Sequence, residues 1–114
     1  YQYIMDMGKQ MPAFPSEKQD EDHKFHGCQS QVWFDYAWDD DRLKLMGTSD
    51  AMIVKGLIAL LFRVYSDRTA DEILATDSGF IDELGLSAHL SANRATGLSN
   101  MIEKIRGLAA ERAG

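Results

Sequence analysis

The sequence predicts an α+β fold, a small antiparallel sheet of about three strands packed against helices. Three patterns carry this. Residues 31–38 alternate, with Val32, Phe34 and Tyr36 on one face and Trp33 and Asp35 on the other, and 42–48 resumes the alternation through Leu43 and Leu45. Residues 51–65 are apolar except for Lys55, Gly56 and Arg63. Leu98, Met101, Ile102, Ile105, Leu108 and Ala109 recur at helical spacing. Helix, strands, then helices is the order of an α+β domain.

Taken in chain order, Tyr3, Ile4 and Met7 repeat at helical spacing, and Gly8, Pro12 and Pro15 are expected to stop that first helix. The polar, acidic stretch 16–24 reads as an exposed loop or a short helical turn. Asp39, Asp40 and Asp41 form the turn of a hairpin, because three carboxylates disfavour a buried strand. A hairpin alone is marginal, so a third strand is expected from 23–27, or else helices cover one face. The apolar run 51–65 makes a helix about 22 Å long, with Ser49 or Asp50 as N-cap. It is shorter than the about 20 residues of a membrane span and carries two cations. Lys55 and Arg63 lie within about 80° of each other around its axis and emerge on one side.

After a turn at 66–68, Thr69-Ala70-Asp71-Glu72 is a capping box that starts a short helix ending near Thr76. A second short helix over 80–84 is closed by Gly85, and Ser91 caps the last one. Gly97 lies inside or just before that helix and weakens it by about 1 kcal/mol relative to Ala.

The 114 residues are one domain's worth of chain, 45% apolar and 26% charged, which fits a folded globule rather than disorder. Twelve basic and eighteen acidic residues give a net charge of -6, a poor balance for nonspecific binding of nucleic acid or an anionic membrane. The opening Tyr1-Gln2-Tyr3-Ile4 has neither a basic region nor a long apolar stretch, so no signal peptide is expected there. The chain opens inside a helix, and residues upstream of Tyr1 are expected.

The single cysteine stands in Phe25-His26-Gly27-Cys28-Gln29-Ser30-Gln31-Val32-Trp33. One cysteine excludes an internal disulfide framework and a cysteine-only metal cluster held by one copy. Gly27 allows tight or left-handed backbone, and the strand begins only after Cys28, so the thiol is expected at the tip of a loop entering a strand. A lone cysteine is commonly a small buried hydrophobe. Against that, Gln29, Ser30 and Gln31 make a polar neighbourhood that a core thiol seldom keeps. His23 and His26 would lower the thiol pKa if close and charged, and alternation turns His26 to the side of Cys28. No Cys-His-Asn constellation is present for hydrolysis. Zinc bound by Cys28, His26 and His23 would need a distant fourth ligand such as His89 or a carboxylate, so no metal is expected.

Gly27-Cys28-Gln29-Ser30-Gln31-Val32-Trp33 resembles the signature of the SufE/CsdE family of sulfur acceptors, the partners of cysteine desulfurases in iron–sulfur cluster assembly. The likeness covers nearly the whole chain. Tyr3-Ile4 with Met7-Gly8 and Met11-Pro12 resembles the family's first helix and its end, here shortened. Gly47-Thr48-Ser49-Asp50-Ala51 with Ile53-Val54-Lys55-Gly56-Leu57-Ile58-Ala59 resembles the start of its central helix. Leu84-Gly85-Leu86, His89-Leu90-Ser91, Arg94, Gly97-Leu98, Met101-Ile102 and Ile105-Arg106 resemble its last third.

The resemblance implies a single domain over 1–114, related in fold to the U-type iron–sulfur scaffolds, and a cytoplasmic sulfur carrier rather than a stand-alone enzyme. Those scaffolds hold a cluster with three cysteines; this chain has one, so cluster assembly is not its own task. It implies that Cys28 takes persulfide sulfur from a SufS- or CsdA-like desulfurase, stimulates that enzyme, and passes the sulfur to a scaffold such as the SufB–SufC–SufD complex. The desulfurase uses pyridoxal phosphate; the carrier itself binds no cofactor. Arg94, Gln29, Ser30 and Gln31 are expected to meet the desulfurase, and Gly27 to ease the loop's motion. Gly56 is expected to let the central helix pack closely on the sheet. Two other readings stay open on the residues alone: an interaction domain with an inert Cys28, and a thiol enzyme acting on a small molecule.

Overall fold

Asp40 and Asp41 take the left-handed backbone, with φ of 52° and 63°, and so turn the chain back within a two-residue loop of the type that matches strand twist. Asp tolerates that region better than most side chains. The turn joins β1 (Val32–Asp39) to β2 (Arg42–Ser49), paired antiparallel from Asp39↔Arg42 to Val32↔Ser49. This is the expected hairpin. The computed structural model describes residues 2–77, 79–83, 85 and 90–114, the side chain of Asp82 excepted.

Val32, Phe34, Leu43 and Leu45 are buried on the inner face of the hairpin. Tyr36 shares that face at its rim, stacked on Phe34 with ring centroids 6.1 Å apart, and stays 40% exposed. At the tip, Arg112 donates to Asp41 at 2.9 Å and covers the Trp38 ring at 5.2 Å.

The third strand is β3 (Arg68–Thr69), which pairs with β2 to give the order β1-β2-β3. It does not come from 23–27. There the Asp20 carboxylate accepts the His23 N–H and curls Glu21–His23 into a 3₁₀ turn, leaving one bridge, Lys24↔Trp33, before the chain turns again. Asp67, at φ 61°, swings the chain back onto the sheet, and its N–H donates to the Leu43 carbonyl.

One helix packs on β2 and carries a second helix against its own surface. α1 (Gln2–Gln10) runs two residues past Gly8, so Gly8 is not its stop; the Met11 N–H closes the last turn on the Gly8 carbonyl and Pro12 follows. α2 (Met52–Tyr65) is capped by neither Ser49 nor Asp50: Ala51 stands at the N-cap without a side-chain bond. The Ser49 hydroxyl instead accepts the Ala51 N–H and donates to the Gln31 carbonyl. Gly56 meets α1 rather than the sheet. A Cβ there would overlap the Ile4 carbonyl, and one on Gly8 would lie 2.9 Å from the Gly56 nitrogen. The two glycines let the helices cross backbone to backbone. Lys55 is half-buried, while Arg63 is exposed and donates to Gln10 at 3.0 Å.

α3 (Ala70–Ala75) opens on the expected capping box of Thr69 and Glu72. Arg106 closes its far end, donating to the Thr76 carbonyl at 2.8 Å. α4 is Phe80–Glu83, and Gly85 beyond it has φ 73°; Leu84, Leu86 and His89 lie outside the described residues. α5 (Ala92–Ala113) is capped by Ser91, whose hydroxyl accepts the Arg94 N–H at 3.2 Å. Its predicted stripe from Leu98 to Ala109 is buried as a whole. No described helix is long and apolar enough to cross a membrane.

The crossing of α1 and α2 makes a direct prediction. Gly56→Ala should lower the free energy of unfolding by about 1–3 kcal/mol, because backbone must move to admit a methyl. Gly107→Ala, where a Cβ meets nothing within 4 Å, should raise it by about 0.5–1 kcal/mol. Urea midpoints of the two variants against the parent chain check both signs.

Candidate functional site

The segment between the 3₁₀ turns and β1 is an eight-residue loop closed at its base. The Phe25 N–H donates to the Val32 carbonyl at 2.8 Å, next to the Lys24↔Trp33 bridge. The Gln31 carbonyl accepts the Ser49 hydroxyl at 2.8 Å and the Asp50 N–H at 3.3 Å. The Gly27 carbonyl accepts the Asn100 amide nitrogen, from α5, at 2.8 Å. Only Cys28, Gln29 and Ser30 lie between these anchors.

Cys28 points inward. It is half-buried and packs against the core, with its sulfur seated on Gly97: a Cβ at that position would lie 2.7 Å from Sγ. The thiol borders a cavity of about 310 Å³. Leu57, Ile58 and Leu61 of α2 and Leu98 and Met101 of α5 supply its apolar wall. The rim is polar: Gln29 and Ser30 from the loop, and Ser91, Asn93 and Arg94 from the start of α5. Arg94 and Gln29 are exposed.

Burial pushes the Cys28 thiol up from its ordinary pKa, and no neighbouring charge opposes this. The histidines do not lower it. His23 is engaged by Asp20 at 2.7 Å, and its hydrogen bond holds that carboxyl below the usual range. His26 is 67% exposed, 3.7 Å from Glu21, and does not border the cavity. The curl at Glu21–His23 and the turn after it break the alternation that would have set His26 beside the sulfur. Among the described residues, no three His, Cys, Asp or Glu side chains are grouped to hold a metal.

Four of the sequence candidates, Cys28, Gln29, Ser30 and Arg94, therefore meet around one cavity. Gln31 does not border it; its carbonyl serves as a loop anchor. Gly27 does not take the left-handed backbone. Its hydrogen is required by space, since a Cβ would strike the Phe25 ring at 2.5 Å and Asn100 Cβ at 2.9 Å. Sequence reasoning missed Gly97 and Asn100. A glycine within a strong helical stripe was the available signal for the first; Asn100 had none.

Fold and site together define a single-thiol α+β protein whose cysteine faces inward from a pinned loop. The family model described as SufE, Fe-S metabolism associated domain, matches residues 1–109. A SufE-like protein of Rhizobium meliloti is 38% identical over 111 residues, covering 93% of this chain and 79% of that protein. One from Rhizobium etli is 39% identical over 118 aligned positions, covering 99% and 80%. A solution structure of a hypothetical protein from Thermus thermophilus shares the fold, with TM-score 0.77 at 19% identity over 96% of this chain and 81% of that one. The chain belongs to the SufE family, whose general role is sulfur acceptance in iron–sulfur metabolism.

The buried thiol has a stated pH signature. Its folded pKa lies above the unfolded one, so its stabilising contribution is complete below the unfolded value and is lost as pH rises through the folded value. Alkylation of Cys28 by iodoacetamide should therefore reach half-maximal rate at higher pH in the folded chain than in urea. Gly97→Ala should displace the sulfur outward and bring the two profiles together. Its stability should change by less than about 1 kcal/mol, because the added helix propensity offsets the lost berth.

Proposed function

We propose that Cys28 is a persulfide carrier. It takes sulfur from a cysteine desulfurase, stimulates that enzyme, and delivers the sulfur to an iron–sulfur scaffold such as SufB–SufC–SufD, in the cytoplasm. The observation that carries this reading is the inward thiol on a three-residue loop tip beside an apolar cavity. A thiol held neutral by burial is a poor nucleophile. Its thiolate fraction rises when the tip leaves the cavity, which ties reactivity to a partner that receives the loop.

The transfer is a thiol–persulfide exchange with no net oxidation. The Cys28 thiolate attacks the outer sulfur of the desulfurase persulfide; a bond forms from Sγ to that sulfur, and its bond to the desulfurase cysteine breaks. The electron pair leaves on the desulfurase thiolate, which takes up the proton that Cys28 gave to solvent. Returned to the cavity, the added sulfur lies beside the apolar wall of Leu57, Ile58, Leu98 and Met101. The sequence holds one cysteine, so no second thiol in this chain can resolve the persulfide to a disulfide. No step requires a cofactor on the carrier; pyridoxal phosphate belongs to the desulfurase.

Arg94, Gln29 and Ser30 on the rim are the groups a docking desulfurase meets as the loop opens, with Gln31 at the loop's outer edge. Arg94 supplies a planar, multi-donor cation suited to a carboxylate or carbonyl on the partner. Incubation with a cysteine desulfurase and L-cysteine should add one sulfur atom to the chain, seen by intact-mass spectrometry. Cys28→Ser should take up none, and undiminished stimulation of the desulfurase by that variant would overturn the relay. Arg94→Ala should weaken the complex by about 1–2 kcal/mol while still gaining the sulfur at saturating desulfurase.

A further inference from the structure

Asn100 stands on α5 one turn beyond Gly97, half-buried, with its amide nitrogen 2.8 Å from the Gly27 carbonyl. Among the described residues this is the one side-chain hydrogen bond made to residues 27–30. The other anchors, at Phe25 and Gln31, join the loop's base to the strands. The Asn100 bond instead ties the residue before Cys28 to the helix that carries the sulfur's berth. The approach is close enough that a Cβ on Gly27 would lie 2.9 Å from Asn100 Cβ.

We propose that Asn100 is a positioning residue that sets the balance between the stowed and the extended Cys28. It does not touch the sulfur. It acts through the Gly27 carbonyl, which draws the loop onto α5 and carries the next residue against Gly97. With that bond broken, residues 27–30 are free to swing about the two base anchors, which remain. The functional meaning of the extended state rests on the sulfur-acceptor reading; the latch itself does not.

The test uses the full chain and iodoacetamide as probe, with Asn100→Ala and Asn100→Asp. The aspartate keeps the shape, but once ionised it can only accept, and it faces a carbonyl. Both variants should alkylate at Cys28 about three- to tenfold faster at pH 8, the shift in population that one net hydrogen bond of this kind gives. The midpoint of the alkylation–pH profile should fall toward that of the chain in urea, a change that general loosening elsewhere does not produce. Arg106→Lys, which disturbs the cap on α3, serves as the control and should alkylate at the parent rate. Parent rates in both Asn100 variants, or equal acceleration in the control, would overturn the latch. If either Asn100 variant fails to fold, the other decides. Sulfur uptake from a desulfurase is measured separately on the parent chain. Absence of uptake there would sink the acceptor reading and leave the alkylation result standing; uptake with unchanged Asn100 variants would sink the latch alone.

Discussion

The site depends on an empty position. α5 carries no side chain at 97, and the Cys28 sulfur occupies the space a methyl would need. α5 cannot retreat to make room by other means, because Leu98 and Met101 beside the berth are buried. A glycine in a helix interior costs about 1 kcal/mol relative to alanine, and α5 is built to tolerate it. The helix runs from Ala92 to Ala113, is capped by the Ser91 hydroxyl, and buries its apolar stripe from Leu98 to Ala109. Helical order is thus held by packing along the length of α5 rather than by propensity at its second turn.

The frame that presents this berth is apolar, and its charges sit outside. The pairs Lys18–Asp35, Lys44–Asp67 and Arg112–Asp41 all lie at the surface or near it, where solvent screening leaves each worth little. Their effect is on acid sensitivity. Hydrogen bonding to Lys18 and Lys44 holds the Asp35 and Asp67 carboxyls below their ordinary range. Such groups stabilise the fold above the unfolded carboxylate pKa and lose that contribution as pH falls through the folded value. The hydrogen bond from Thr69 places Glu72 in the same class. Alkaline conditions act on groups shifted the other way: burial pushes up the Cys28 thiol and the Tyr65 hydroxyl, and the hydrogen bond to Asp35 holds the Lys18 ammonium up, so each loses its contribution as pH rises through its folded value.

Patterns of local origin were legible in the amino-acid sequence. Alternation marked β1 and β2, three aspartates marked the turn, Thr69 and Glu72 marked a helix start, and the six-residue stripe marked the buried face of α5. What was not legible depends on which backbones come close in space. Gly8 and Gly56 read as a stop and a sheet contact, yet they face each other across a helix crossing. The third strand is two residues, Arg68–Thr69, too short for any period, and its existence rests on Asp67 turning the chain onto β2. At the site, the cysteine, its polar neighbours and Arg94 were found by motif. Gly97 and Asn100 were not, because their work is done on a loop about seventy residues away in sequence, and no local pattern encodes a partner so remote.

The remaining question is whether a thiol so placed can leave at a rate a carrier needs. Extension of residues 27–30 leaves the base anchors at Phe25 and Gln31 intact, so the hairpin is undisturbed. What is lost is one neutral hydrogen bond from Asn100, worth about 1 kcal/mol net, and the burial of a small side chain, worth about 1 kcal/mol. A gap of about 2 kcal/mol corresponds to an extended population of a few per cent. That is small enough to keep the sulfur sheltered for most of the time and large enough that a partner need contribute only modest differential affinity to draw it out. A deeper berth, with a second side-chain anchor on the tip, would protect the cargo better but would make release the slow step. The single latch and the single missing Cβ set the thiol between those limits.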